Sequence, residues 1–175
     1  LYLMDYAVVA VPAAPIRRKP NHRKEMVNQL LFCETVKVLR EKNDRWIKIR
    51  SLHDGYEGWT TSTLLEEVNE DFANTRSTFV TSEMLSIVML DDRKINITVG
   101  SALPFFYDGK GLLGKTEFIF SGNYFKRDEQ IPSAELITNL TLPWLNAPYL
   151  WGGRTVLGVD CSGFVQVIYK LMGID

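Results

Sequence analysis

Histidine and cysteine are scarce in this sequence, with two of each in 175 residues. Cys33 and Cys161 stand far apart, so neither a disulfide framework nor a C-x-x-C metal pair can be drawn. Two free thiols leave the redox compartment open, and no metal or other cofactor is expected. An excess of charge is missing too: 20 Lys and Arg against 21 Asp and Glu give a formal net charge of −1. That excludes a broad basic field of the kind that holds nucleic acid or an anionic membrane. The one basic cluster, Arg17-Arg18-Lys19 with His22, Arg23 and Lys24, is set among prolines and reads as a solvated loop. No apolar run approaches the roughly 20 residues of a membrane span. No charged, apolar and cleavage-site series opens the chain, although a start at Leu1 makes this a poor guide. Both ends are expected to be cuts through a longer protein. The oligomeric state is not legible.

What is present is ordinary globular composition, 46% hydrophobic and 23% charged, arranged in two rhythms. The first covers most of the chain. Tyr6–Val11, Met26–Phe32, Thr35–Leu39, Trp46–Arg50 and Tyr56–Thr60 are short β-prone runs broken by Pro12, Pro15, Arg40–Asp44 and His53-Asp54-Gly55. Period-two alternation at such intervals predicts a small all-β barrel over residues 1–68. Residues 79–81, 85–90, 95–99, 103–107 and 117–120 repeat the style between Asp and Gly turns, which predicts a second barrel over 72–130. Asn69–Thr78 is polar and is expected to be the linker.

Near Pro132 the period changes to 3.6. Ser133 is placed to cap a helix with Glu135 in its first turn. After a loop rich in glycine, Cys161 opens a second helix whose apolar face carries Phe164, Val165, Ile168 and Leu171, and Gly173 is placed to end it. A cysteine at a helix start meets the positive end of the dipole, which favours the reactive thiolate. Gly163 leaves the sulfur approachable, and first-turn amides are free to hold an oxyanion. Free cysteines are also among the most buried residues, so position alone leaves a nucleophile and an inert core thiol equally open.

The full segment narrows this. Tyr149-Leu150-Trp151-Gly152-Gly153, followed by Asp160-Cys161-Ser162-Gly163-Phe164, resembles the N-terminal half of the NlpC-type papain-like cysteine peptidases of bacterial cell-wall peptides. Met26–Phe32, Trp46 and Asp54-Gly55-Tyr56-Glu57-Gly58-Trp59 are similar to the bacterial SH3-like module that precedes the catalytic domain in one branch, which has two such modules. The resemblance implies a mostly β architecture: two small SH3-like barrels, then the N-terminal helical part of an α+β papain-like domain over 134–175. It implies hydrolysis of γ-D-glutamyl–diamino-acid bonds in murein-derived peptides with a free N-terminal L-alanine, in the cell envelope or in cytoplasmic recycling. By the same resemblance Cys161 is the nucleophile, with Tyr149 beside it on the oxyanion. Asp160 and Ser162 line the adjacent subsites, and Asp160 faces the substrate amine. Tyr56 closes one wall, and Glu25 meets the same ammonium. For Tyr56 cross-strand packing beside Trp59 is the competing role; for Glu25 it is a solvated surface acid.

Two departures stand out. The family's general base is a histidine after the cysteine, and a cysteine without its base is a poor peptidase. His22 and His53 both precede Cys161 and are expected to be exposed loop residues. The chain as it stands is therefore expected to be inactive. Cys33 replaces a residue that is usually glycine in relatives and reads as a small apolar filler or a strained turn position. The competing class is a non-catalytic pair of SH3-like modules that binds cell-wall peptide or a protein. A histidine-bearing strand beyond Asp175 would favour the enzyme.

Overall fold

The structure, a computed structural model, describes residues 4–174; Leu1–Leu3 and Asp175, the outer ends of the first and last expected segments, lie outside the described residues. Seven strands form the first sheet: β1 (Tyr6–Val9), β2 (Ala13–Arg17), β3 (Met26–Leu31), β4 (Thr35–Lys42), β5 (Trp46–Ser51), β6 (Glu57–Thr61) and β7 (Leu65–Val68). Their order is β3-β2-β6-β5-β4-β1-β7, with antiparallel pairing throughout. The alternation read in Thr35–Val38 and Trp46–Ile49 sends Val36, Val38, Ile47 and Ile49 inward, where they meet Ala7, Val9, Ile16 and Leu30. Asn43 and Asp44, both at positive φ, make the β4–β5 turn. Short polar side chains tolerate that conformation best after glycine.

A short helix α1 (Glu70–Asn74), capped by the Asn69 side chain, stands where a plain linker was expected. Three strands, β8 (Phe79–Thr81), β11 (Ala102–Leu103) and β14 (Tyr124–Lys126), form one small sheet, ordered β11-β8-β14. Four more, β9 (Leu85–Leu90), β10 (Arg93–Thr98), β12 (Lys110–Leu113) and β13 (Thr116–Phe120), form another, ordered β10-β9-β13-β12. Their shared core, with Val88, Ile97, Leu103, Phe118 and Phe120, also takes in Val8, Phe32 and Cys33 from the first sheet. The two expected β regions are present. Among the described residues, however, the strand pairings leave each sheet open at its ends rather than closing a barrel.

Two strand readings are corrected. Pro15 sits inside β2 instead of ending a strand, because β2 touches β6 only at Arg17 and needs no donor from residue 15 on that side. The run 103–107 stops being a strand at Leu103, where Pro104 and Phe105, at φ 52°, turn the chain.

The last part is helical, as the period change predicted. Helix α2 (Ala134–Thr141) begins at Ser133, whose hydroxyl accepts from Leu136 N. A 3-10 turn at Leu142–Trp144 follows, then the two-residue strands β15 (Arg154–Thr155) and β16 (Gly158–Val159). Helix α3 (Cys161–Leu171) closes the described chain, with Gly173 at φ 76° just past its end. Val167, Ile168, Leu171 and Trp144 pack with Leu31 of β3, Val80 of β8 and Val99. The helices thus share one core with both β regions.

Candidate active site

Cys161 is the first residue of α3, and its side chain is exposed and unpaired. Asp160 caps the helix. Its Oδ1 accepts from Gly163 N at 2.7 Å and from the Ser162 hydroxyl at 2.8 Å, and its Oδ2 accepts from Gly152 N at 2.8 Å. Partial burial opposes the charge on Asp160, but these donors outweigh it and hold the carboxyl below its usual value. One carboxylate therefore fixes both the helix start and the glycine loop. The Ser162 amide adds a fourth donor, so the roughly four acceptor sites of the carboxylate are all engaged.

The loop is held from the other side as well. Leu150 N donates to Val159 O at 3.1 Å, and Val159 N donates to Pro148 O at 3.0 Å, so Tyr149 lies beside the strand that leads into Cys161. The Tyr149 ring is 68% exposed. Asp160 N donates to Gly153 O at 3.2 Å. Gly152, at φ 74°, lies so close to β3 that a Cβ there would stand 3.0 Å from Asn28 N. Only glycine combines that backbone with that approach.

This contact brings the first sheet to the site. Asn28 Nδ2 donates to Asp54 Oδ2 at 3.3 Å, and Asp54 Oδ1 accepts from Tyr56 N at 3.0 Å. Tyr56 is thereby tied, through Asp54 and Asn28, to β3, the strand against which Gly152 packs, and it is 41% exposed. Glu25 directly precedes that strand. Its carboxylate pairs with Arg18 at 2.8 Å on the surface. Ser162 is exposed, with its hydroxyl turned to Asp160.

Neither histidine hydrogen-bonds Cys161 among the described residues. His22 is exposed, packs against Trp46 with ring centroids 4.8 Å apart at a 55° tilt and contacts Arg45 Nη2 at 3.1 Å. His53 corrects the sequence reading, because it is half-buried rather than exposed. Burial, then the Lys170 charge, pushes its imidazole down to about 4 against the pull of Glu34. So weakly basic an imidazole, with no hydrogen bond to Cys161 among the described residues, is a poor proton acceptor for its thiol.

Sequence reasoning missed a buried ion cluster. Glu34, Arg154 and Lys170 are each almost fully buried. Arg154 Nη1 and Nη2 donate to Glu34 Oε2 and Oε1 at 2.9 and 3.0 Å, and Lys170 Nζ donates to Oε1 at 2.7 Å. The signal was faint. Lys170 shares the helical face of Gly163 and Val167 at i+7 and i+3, where an apolar residue is the ordinary choice.

Residues 16–65 match the family model described as the bacterial dipeptidyl-peptidase Sh3 domain, and residues 146–175 match that of the NlpC/P60 family. A gamma-D-glutamyl-L-lysine dipeptidyl-peptidase of Bacillus subtilis is 27% identical over 160 residues, 83% of this chain and 53% of that protein. One from Bacillus cereus is 26% identical over 178 residues, 86% of this chain and 51% of that protein. The chain thus spans about half the length of these two relatives. Dipeptidyl-peptidase 6 of Lysinibacillus sphaericus is 22% identical over 191 residues, covering 96% of this chain and 70% of that protein. The crystal structure of an NlpC/P60 family protein from Bacillus cereus superimposes with a TM-score of 0.81 at 21% identity, over 96% of this chain and 72% of that one. This likeness establishes the fold.

Proposed function

We propose that this chain, which belongs to the NlpC/P60 family through residues 146–175, carries the nucleophile and the substrate-gathering face of a cysteine peptidase of cell-wall peptides. The bond cut is γ-D-glutamyl–diamino acid, in peptides with a free N-terminal L-alanine. One observation carries the reading: an exposed Cys161 stands at the start of α3, and the Asp160 carboxylate that caps the helix also holds the Gly152 loop that packs against β3. The names of the Bacillus relatives supply the bond.

In this mechanism the Cys161 sulfur attacks the γ-glutamyl carbonyl, and the leaving amine departs to give a thioester that water then hydrolyses. First-turn amides have no intrahelical partners and face the developing oxyanion. The Gly163 and Ser162 amides are already taken by Asp160, which leaves the Cys161 amide and the Tyr149 hydroxyl as donors. Tyr56 walls the far end of the subsite. Asp160 and Glu25 offer carboxylates to the substrate ammonium, Glu25 after exchanging its Arg18 partner.

The reaction needs a base that neither His22 nor His53 provides. The 175-residue chain alone should therefore leave L-Ala-γ-D-Glu-L-Lys intact when followed by mass spectrometry, and turnover at an enzymatic rate would overturn that assignment. In a longer protein that supplies the base, Cys161→Ala should abolish cleavage. There, Tyr56→Ala and Glu25→Ala should each cut kcat/KM on the free peptide by roughly ten- to a hundredfold, the worth of one charge-assisted or walled contact. Equal cleavage of free and N-acetylated peptide would instead leave the first sheet as an anchor or binding module.

A further inference from the structure

The exposed helix start and glycine loop account for Cys161, Tyr149 and their neighbours but give no task to the most deeply buried charges among the described residues. Glu34 is 4% exposed and follows Cys33, whose φ of 61° makes the tight turn between β3 and β4. Its carboxylate is fully engaged. Oε1 takes Lys170 Nζ and Arg154 Nη2, while Oε2 takes Arg154 Nη1 and, at 2.9 Å, Leu31 N. Arg154 is gripped twice more by β3, through Nη1 to Gln29 O at 2.9 Å and through its own amide to Gln29 Oε1 at 2.8 Å.

These contacts hold both sides of the nucleophile. Arg154 follows Gly153, whose carbonyl accepts the Asp160 amide that starts α3. Lys170 lies in the last turn of the same helix, about 13 Å along the axis from Cys161 at 1.5 Å per residue. One carboxylate of the first sheet thus clamps the segment before Cys161 and the helix after it. Stability alone does not call for such an arrangement, because an apolar contact of the same volume often holds two elements as well or better than buried ions. What the ions add is direction: a bidentate guanidinium and a single ammonium on one carboxylate admit one relative placement.

We propose that Glu34 is a positioning residue, acting through Arg154 and Lys170 to set where Cys161 stands. The first sheet is then part of the peptidase machinery rather than an appended module. The consequence for rate rests on the peptidase reading above; the placement of Cys161 does not.

The test uses the longer, active protein. Glu34→Gln leaves two buried cations without an anion and so confounds folding with positioning; Lys170→Met is the deciding variant, since it keeps the Glu34–Arg154 pair. Three quantities are read: the melting temperature, kcat and KM on L-Ala-γ-D-Glu-L-Lys, and the rate of Cys161 alkylation by iodoacetamide. Cys33 serves as the silent internal control, since burial holds its thiol protonated. The expected result is a folded Lys170→Met protein with kcat lowered roughly ten- to a hundredfold, the scale of an ångström misplacement. KM should be little changed and Cys161 alkylation shifted several-fold. A folded variant with parental kcat and parental alkylation overturns the proposal, whatever its melting temperature. If the parent cleaves no peptide, the peptidase reading fails, and alkylation alone decides whether Glu34 positions Cys161.

Discussion

At the residue scale, His53 shows how the buried ion cluster reaches beyond its own members. Burial is the largest influence on its imidazole, followed by Lys170, with Arg154 adding to the effect and Glu34 and Asp54 opposing it. The result is a value lowered from 6.5 to about 4. A lowered value means that, between those limits, the unfolded chain binds a proton that the folded chain refuses. Stability therefore rises with pH across that window, is complete above about 6.5, and loses this contribution by about 4. At ~1.4 kcal/mol per pKa unit, the full swing is about 3 kcal/mol. Glu34 adds a separate loss at lower pH: its folded value is depressed by Arg154 and Lys170 despite burial, so its contribution is present above its ordinary 4.5 and lost as pH falls below it. Urea unfolding of the parent and of His53→Gln, compared from pH 4 to 7.5, should show a pH slope that the variant lacks. An NMR titration of His53 with a midpoint near 6.5 would contradict it. The helix start at Cys161 was legible because its signals fall within a dozen residues of one another, but the capping role of Asp160 was not read. Cys33 reads as either a small filler or a strained turn position; at φ 61° and 3% exposure it is both. The Glu34–Arg154–Lys170 cluster was not legible, because its members come from three segments and each charge, read alone, belongs on a surface.

At the element scale, the nucleophile helix is placed by a contact that admits no side chain. A Cβ on residue 163 would fall against the carbonyl oxygen of Gly153, which is backbone and cannot swing aside. Two effects compete in Gly163→Ala. Helix propensity favours alanine by about 1 kcal/mol, whereas forcing a methyl into a filled space costs typically 1–3 kcal/mol and displaces backbone. Steric conflict against backbone should win, with net destabilisation of up to about 2 kcal/mol and, in an active longer protein, a loss of cleavage out of proportion to it. Denaturant midpoints decide the first point, and a neutral or stabilised Gly163→Ala would show that the loop yields. Val165→Ala, at an exposed site on the same helix, is the control and should change little. The start and end of this helix were readable from Cys161 and Gly173, but its buried face was only partly so: Val165, read as apolar face, is exposed, whereas Val167 and Lys170 are buried. The strands were readable where alternation is strong, as in β4 and β5. They were missed where it is absent: β12 runs Lys110-Gly111-Leu112-Leu113, and β14 has only Tyr124-Phe125-Lys126. Pairing partners, not local pattern, make those segments strands.

At the scale of the whole molecule, the helical part does not carry a core of its own. Leu140, Trp144, Val167, Ile168, Leu171 and Met172 are buried, but they close around Leu31 from the first sheet and Val80 and Val99 from the second β region. Gly100 reinforces this seat, since a Cβ there would stand 3.1 Å from Val167. The charges make the same demand. Arg154 and Lys170 are buried cations whose anion, Glu34, belongs to the first sheet. Cut loose, they would have to return to water and open the helix packing with them, since an unpaired buried charge costs several kcal/mol. A segment of this size also lies in the range where a single apolar core rarely supplies more than about 3–5 kcal/mol. Residues 132–175 produced alone should therefore be unfolded, with weak helical circular dichroism and a narrow spread of amide proton shifts. The same residues within the 175-residue chain should melt together with the strands, so that the 222 nm signal and tryptophan fluorescence share one midpoint. A dispersed spectrum or a cooperative melt for the isolated segment would show that Cys161 is held without the sheets. Two separate transitions in the chain would place the division between the β regions and the helices, and the clamp at Glu34 would then join two bodies that fold independently.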